Sequence, residues 1–354
     1  MSRGVVLAAG GLAAVIAGVW LASGCSPSRA PAGAAADSSA QRPTGIPLLM
    51  PWGDPDLQGI WGSGYILTPL ERPDKFAGKE YLTDEEAAAL EKEAALTFGV
   101  GAGAGRTPRP ARGTEADVSG AYNDVFAGRG RNVIRTKRTS LIVDPRDGKI
   151  PPRTPEGNER ASVSLATNFA SSSAGRADGP EDRTRDDRCF GISLPIAFGH
   201  PASAGGYSRI VQTLGAVSIY YEQNRGGTFR TVPVDGRPRL LPAVRNWLGD
   251  SRGRWEGHTL VIDTINFTNR TNYYGSREHL HLVERFTRIE PDVITYEATI
   301  DDPTTFTQPW TIEVPLTKAD EKRNQIYENA CHEGNYALAN ILSGARASEK
   351  GRRR

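Results

Sequence analysis

The residues best suited to chemistry stand in the segment His279-Leu-His281-Leu-Val-Glu284-Arg285. Read as a strand, side chains two apart leave the same face, so His279 and His281 share a face with Val283 and Arg285. Glu284 takes the opposite face, between Leu282 and Phe286. Two imidazoles on one face are the start of a zinc or iron site, whose further ligands would come from His332 or Glu333. The plainer reading is a pair of hydrogen-bonded or surface histidines, and no metal is assigned. A carboxylate between apolar neighbours is either paired with an arginine or raised in pKa, and a raised one serves as a general acid or base. The candidate acid–base set is therefore His281, Glu284 and His332. Arg285, Trp255 and Glu333 are the groups that would orient a ligand.

Other motifs fail on context. Gly249-Asp-Ser-Arg-Gly253 has the spacing of a nucleophile elbow, but an elbow joins a strand to a helix, and here a strand pattern follows within a few residues. Its alternative is a turn whose Asp250 and Ser251 bond their own backbone. His332-Glu-Gly-Asn335 lacks the second histidine of a zincin, since position 336 is Tyr. The glycine-rich run from Gly99 to Gly113 follows a helix pattern rather than a strand and lacks the phosphate-loop spacing, so it reads as a loop. No cofactor fingerprint is present. Trp247, Trp255, Trp310, Tyr220, Tyr221, Tyr273 and Tyr274 supply aromatic surface for an apolar or aromatic ligand, or simply core.

The elements that must position these residues are mostly strands. Short β runs separated by turns cover Arg209 to Thr213, Ala216 to Glu222, His258 to Ile265, His279 to Arg288, Val293 to Ile300, Trp310 to Val314 and Ile326 to Cys331. They predict an antiparallel meander. An earlier strand is expected over Arg138 to Asp144, and Leu57-Gln-Gly-Ile-Trp61 opens the folded part. Thr83-Asp-Glu-Glu86 forms a capping box that predicts a helix from about Asp84 to Thr97. Residues 171 to 188 are polar without period and read as a surface loop, and Tyr336 to Ala347 reads as a closing helix.

The chain has 354 residues and a formal net charge of +2 with both signs interspersed, a balance that argues against a nucleic-acid partner. Arg3, the apolar run Val5 to Trp20 and the small residues before Cys25 read as a signal peptide over residues 1–24. Leu21-Ala-Ser-Gly-Cys25 resembles a lipobox, which makes Cys25 the expected lipidation site and a membrane the partner of the anchor. Ser26 favours the outer membrane by analogy with lipoprotein sorting. Residues 25–45 are lipidated Cys and flexible tether, rich in Ser, Ala, Pro and Gly, 46–347 a single β-rich domain, and 348–354 a basic tail. With Cys25 taken by lipid, Cys189 and Cys331 remain in a compartment that oxidises thiols and are expected to form a disulfide.

Pro55-Asp-Leu-Gln-Gly-Ile-Trp61, Thr139-Ser-Leu-Ile-Val-Asp-Pro145, Trp247-Leu-Gly-Asp-Ser-Arg-Gly-Arg-Trp-Glu-Gly257, His281-Leu-Val-Glu-Arg-Phe-Thr-Arg288 and Cys331-His-Glu-Gly-Asn335 together resemble a family of secreted bacterial proteins. The resemblance covers most of the chain after the tether and carries no activity with it. His258 departs from it, standing where the family's turn has an aspartate. Gly59-Ile-Trp61 is also similar to the first strand of lipocalin-like barrels. The fold expected is mainly β, an antiparallel meander closing into a lipocalin-like barrel with a few peripheral helices. The function expected is a lipid-anchored protein, facing the periplasm or the exterior, that holds a small, largely apolar molecule in the barrel. An acid–base enzyme of the same fold and an envelope scaffold are the alternatives.

Overall fold

The computed structural model describes residues 48–63, 66–98, 107–108, 114–115, 132–160, 177–183, 187–189, 194, 207–222, 228–271, 273–323, 326 and 330–352. Among these residues twelve strands are formed: β1 (Gly59–Gly62), β2 (Thr97–Phe98), β3 (Thr107–Pro108), β4 (Ile142–Asp144), β5 (Ser208–Thr213), β6 (Ala216–Tyr221), β7 (Thr228–Pro233), β8 (Asp250–Glu256), β9 (Thr259–Ile265), β10 (His281–Glu290), β11 (Val293–Asp301) and β12 (Trp310–Lys318). Nine of them lie side by side in the order β7-β6-β5-β1-β12-β11-β10-β9-β8, every neighbouring pair antiparallel. The sheet curls until β7 meets β8, giving a nearly closed barrel. The strand β4 pairs outside this path with β12.

Period-two patterning sets the inner face. In β10 the inward Leu282, Glu284 and Phe286 are buried, while His281, Val283 and Arg285 between them are partly exposed. In β11 the same holds for Ile294, Tyr296, Ala298 and Ile300. Register places Glu284 opposite Ala298 on one side and Ile262 on the other, and Phe286 opposite Tyr296 and Leu260. Leu282, Phe286, Tyr296, Ala298, Ile312 and Val314 each have at most 1% of their surface accessible. A water-sized void beside them would leave their lining accessible, so around these six residues the barrel is packed with side chains.

The closing seam has no ladder. β7 and β8 run the same way, and the chain returns between them through residues 234–249. Gly253 brings β8 against β7, since a Cβ there would stand 2.7 Å from Val234 Cγ1 and 3.1 Å from Val232 Cγ1. The return segment is tied to β8 by Arg252, which donates to the carbonyls of Arg237 and Pro238, and by Asp250, which accepts from the Leu240 amide at 3.0 Å.

Helix α1 (Asp84–Leu96) has the expected capping box: the Thr83 amide donates to Glu86 Oε2 at 2.8 Å and the Glu86 amide to Thr83 Oγ1 at 3.2 Å. The closing helix α2 (Ala337–Arg352) starts one residue later and runs further than expected. Cys189 and Cys331 are joined by a disulfide, Cα atoms 5.6 Å apart, across 142 residues. Other expectations need correction. The strand expected over Arg138 to Asp144 shrinks to β4, with Arg138 making only an isolated bridge to Tyr81. β12 runs four residues beyond Val314, to Lys318. The described residues of the 326–331 stretch, Ile326, Ala330 and Cys331, lie in no strand. β7 and β8 form where no strand was expected. Most of the Gly99 to Gly113 loop, and residues 171–176 and 184–186 of the next, lie outside the described residues. Among the described residues no helix is long and apolar enough to cross a membrane.

Candidate functional site

The sequence candidates are dispersed. His279 sits exposed in the turn before β10, so it does not share a strand face with His281. His281 is on the outer face, its Nε2 3.0 Å from Asp263 Oδ2, and Asp263 also accepts from Arg239. That hydrogen bond raises the His281 pKa above its ordinary value and lowers that of Asp263. Arg285, also outward, pairs with Glu256 at 3.0 Å. His332 and Glu333 are exposed beside the disulfide. Trp255 packs against the core with its buried Nε1 unpartnered. Among the described residues no histidine reaches Glu284.

Glu284 lies instead at the heart of a buried polar network. Arg230 of β7 donates from Nη2 to Glu284 Oε2 at 2.6 Å, from Nε to Tyr221 Oη at 3.1 Å and from Nη1 to Ser251 Oγ at 3.4 Å. The Tyr296 hydroxyl donates to Glu284 Oε1 at 2.9 Å, and Ser251 and Thr264 share a further bond of 2.9 Å. Arg230 is 6% and Glu284 1% exposed, so both charges are out of water and must satisfy each other. Burial pulls the Arg230 pKa down, but Glu284 beside it outweighs that, and the guanidinium stays charged. Both carboxylate oxygens are engaged, which fits the paired reading of Glu284. Ser251 is likewise committed, without a histidine, inside β8 rather than on a turn. The network links β6, β7, β8, β9, β10 and β11, and so spans the seam that lacks a ladder.

A second cluster shuts the end of the barrel where β9 and β11 finish and β10 and β12 begin. Trp310 is packed edge-on by Phe306 at 5.6 Å and by Tyr274 at 6.1 Å, and lies nearly parallel to Tyr273 at 6.1 Å. Tyr273 and Ser276 exchange both backbone hydrogen bonds at 2.9 Å, fixing a tight turn. Tyr274 inside that turn has φ 53°, an unfavourable conformation for a bulky side chain. Residues 150–160 lie across it: Arg153 donates to the Tyr274 carbonyl at 3.1 Å, and Arg160 to Gly275 O at 3.2 Å and Thr304 O at 2.6 Å. Gly157 permits the close approach, as a Cβ there would fall 2.4 Å from the Thr305 carbonyl.

Within this aromatic nest the Trp310 Nε1, Tyr273 Oη and Ser276 Oγ are buried and have no hydrogen-bond partner among the described residues. Each such orphan costs about 1–3 kcal/mol. Native structures keep few of them, so three in one turn-and-strand cluster call for an explanation. Burial raises the Tyr273 pKa far above its ordinary value and that of Tyr274 to about 12, so both hydroxyls hold their protons. Trp310 only donates, whereas the two hydroxyls donate or accept. Tyr273, Tyr274 and Trp310 were visible in the sequence as aromatic surface. The part of Ser276 was not, because nothing in a lone serine marks a buried unpaired hydroxyl.

No family model and no curated protein matches the chain. Among solved structures it is similar to the REP1-NXSQ fatty acid transporter, at 10% identity and a TM-score of 0.24, covering 38% of this chain and 84% of that one. A single-residue variant of the same transporter gives the same identity and TM-score, with 89% of its chain covered.

Proposed function

We propose that this protein is an exported, lipid-anchored barrel that binds a small, largely apolar molecule at its aromatic end. The observation that carries the reading is the trio of unpartnered polar atoms on Trp310, Tyr273 and Ser276 inside an aromatic nest. The ligand has an apolar or aromatic body and a neutral oxygen acceptor, such as a carbonyl, for the Trp310 N–H. The three orphaned groups, an indole N–H and two hydroxyls, are neutral and match a neutral acceptor. Trp310 and Ser276 are fully buried, so the site itself forms only when residues 150–160 part from Tyr274 and Thr304. Export rests on the signal-like residues 1–24 and the lipobox at Cys25, and is supported by the Cys189–Cys331 disulfide, a bond of oxidising compartments.

Titration of the full chain with Nile red, a neutral apolar dye that carries a carbonyl, alongside native mass spectrometry of protein from a periplasm, tests this. Saturable dye binding, or a retained small-molecule mass, is expected. Tyr273→Phe should weaken binding about fivefold while raising the stability of the unliganded protein by about 1 kcal/mol, because it deletes an unsatisfied hydroxyl. A variant that gains stability with unchanged binding would reduce the nest to a packing defect.

A further inference from the structure

The return segment between β7 and β8 presents an apolar tip to solvent. Every residue from 240 to 246 is exposed, with Leu241 at 74% and Leu240 and Val244 at 44% each. The tip is held firmly. At one side Arg239 donates to the Asp250 carbonyl at 2.7 Å and the Leu240 amide to Asp250 Oδ2 at 3.0 Å. At the other, Arg245 donates to the carbonyls of Phe267 and Glu278, and the Asn246 amide to Asn266 O at 3.0 Å. Within the tip the Val244 amide closes a turn onto the Leu241 carbonyl at 2.8 Å, and Pro242 stiffens it further. A loose loop exposing leucine is ordinary; a pinned turn that aims Leu240, Leu241 and Val244 outward marks a surface for contact.

The charges around the tip indicate what it contacts. Residues 235 to 254 hold five arginines against two aspartates. Arg237, Arg239, Arg252 and Arg254 have carboxylate partners. Arg245 bonds only to carbonyls, and the exposed Arg270 has no ion-pair partner among the described residues. Arg270 stands beside the tip, since its neighbour Thr271 donates to the Trp247 carbonyl at 2.8 Å and the Thr268 amide to Asn246 O at 3.0 Å. An apolar tip of leucine and valine, a half-buried tryptophan at its base and unneutralised arginines at its flank match the chemistry of an anionic lipid surface.

We propose that the tip formed by Leu240, Leu241 and Val244 inserts into an anionic lipid surface, with Arg245 and Arg270 at headgroup level. It is a contact of the barrel itself, separate from any lipid on Cys25 and from the ligand site at the aromatic nest.

The test uses the full chain with Cys25→Ser, so that no lipid is attached, carrying an environment-sensitive fluorophore on Leu241→Cys or, as control, on Leu214→Cys in the β5–β6 turn. Vesicles are phosphatidylcholine alone or with 30% phosphatidylglycerol. The probe at 241 should shift to the blue and be quenched by lipid-borne nitroxide only with the anionic vesicles, while the probe at 214 stays unchanged. Arg270→Gln should weaken this binding about fivefold. No response at 241 with anionic vesicles overturns the proposal. A blue shift without vesicles that grows with protein concentration also overturns it, and gives the surface to a second copy of the chain. Equal responses at 241 and 214 overturn it too, by showing attachment without orientation.

Discussion

Arg230 and Glu284 lie 54 residues apart in the chain and 2.6 Å apart in the barrel. Their pairing decides what Glu284 is. A carboxylate between Leu282 and Phe286 was legible as a buried acid paired with an arginine; that the arginine is Arg230 of another hairpin was not, because no local spacing encodes a contact between distant strands. The energetics follow from the burial of both groups. Glu284→Gln or Arg230→Met leaves one charge buried alone and should cost about 3–5 kcal/mol in urea unfolding. The double variant Arg230→Met with Glu284→Leu, which removes both charges, should recover much of that loss. A cycle in which the two single losses simply add would show that the network does not act as a unit. The orphaned hydroxyls of Tyr273 and Ser276 are the opposite case: there the cost is already present in the free protein, and only an added acceptor can relieve it.

The seam between β7 and β8 depends on what their inward positions lack. Gly253 has no side chain to hold Val232 and Val234 away. Gly253→Val should cost about 1–3 kcal/mol in thermal or urea unfolding, and adding Val234→Ala should return part of it. An unchanged stability would mean that the two strands do not meet there. The same two strands are the ones the sequence concealed. In β7 the inward residues are Arg230 and Val232 while Phe229 is 73% exposed, so its polarity runs opposite to the usual rule. In β8 the inward set begins with Ser251 and Gly253. A polar network and a close approach thus erased the alternation that made β5, β6, β9, β10 and β11 readable. The helix α1 was readable from its capping box because both partners lie within one turn.

For the whole molecule, the outer face sets how stability responds to pH. Glu297 and Glu313 stand directly opposite each other on β11 and β12, and burial raises both pKa values above 4.5. A carboxylate raised in the folded state holds a proton that the unfolded chain releases, so these two lower stability as pH climbs past 4.5. His281, raised above 6.5 by Asp263, contributes stability that is full below 6.5 and is lost as pH rises through its folded value. Urea midpoints between pH 5 and pH 9, above the range in which Asp235, Glu256 and Asp263 with their lowered pKa values add stability as pH rises, should therefore show two declines. Glu313→Gln should reduce the lower one and raise stability at pH 7 by about 0.5 kcal/mol. His281→Asn should remove the upper one, and a midpoint that climbs with pH in either range would contradict these assignments.

The strand β1 is bonded to β5 on one side and to β12 on the other, and among the described strands it is the one that ladders the β5–β6–β7 meander to the five strands from β8 to β12. It is made first and used last: Trp61 emerges from the ribosome long before Lys318, its partner in register. Until that partner exists the two meanders have no common strand, so closure waits on nearly the entire chain. Synthesis and assembly are thereby separated in time, and a product cut short before β12 retains β1 with only half of its pairing.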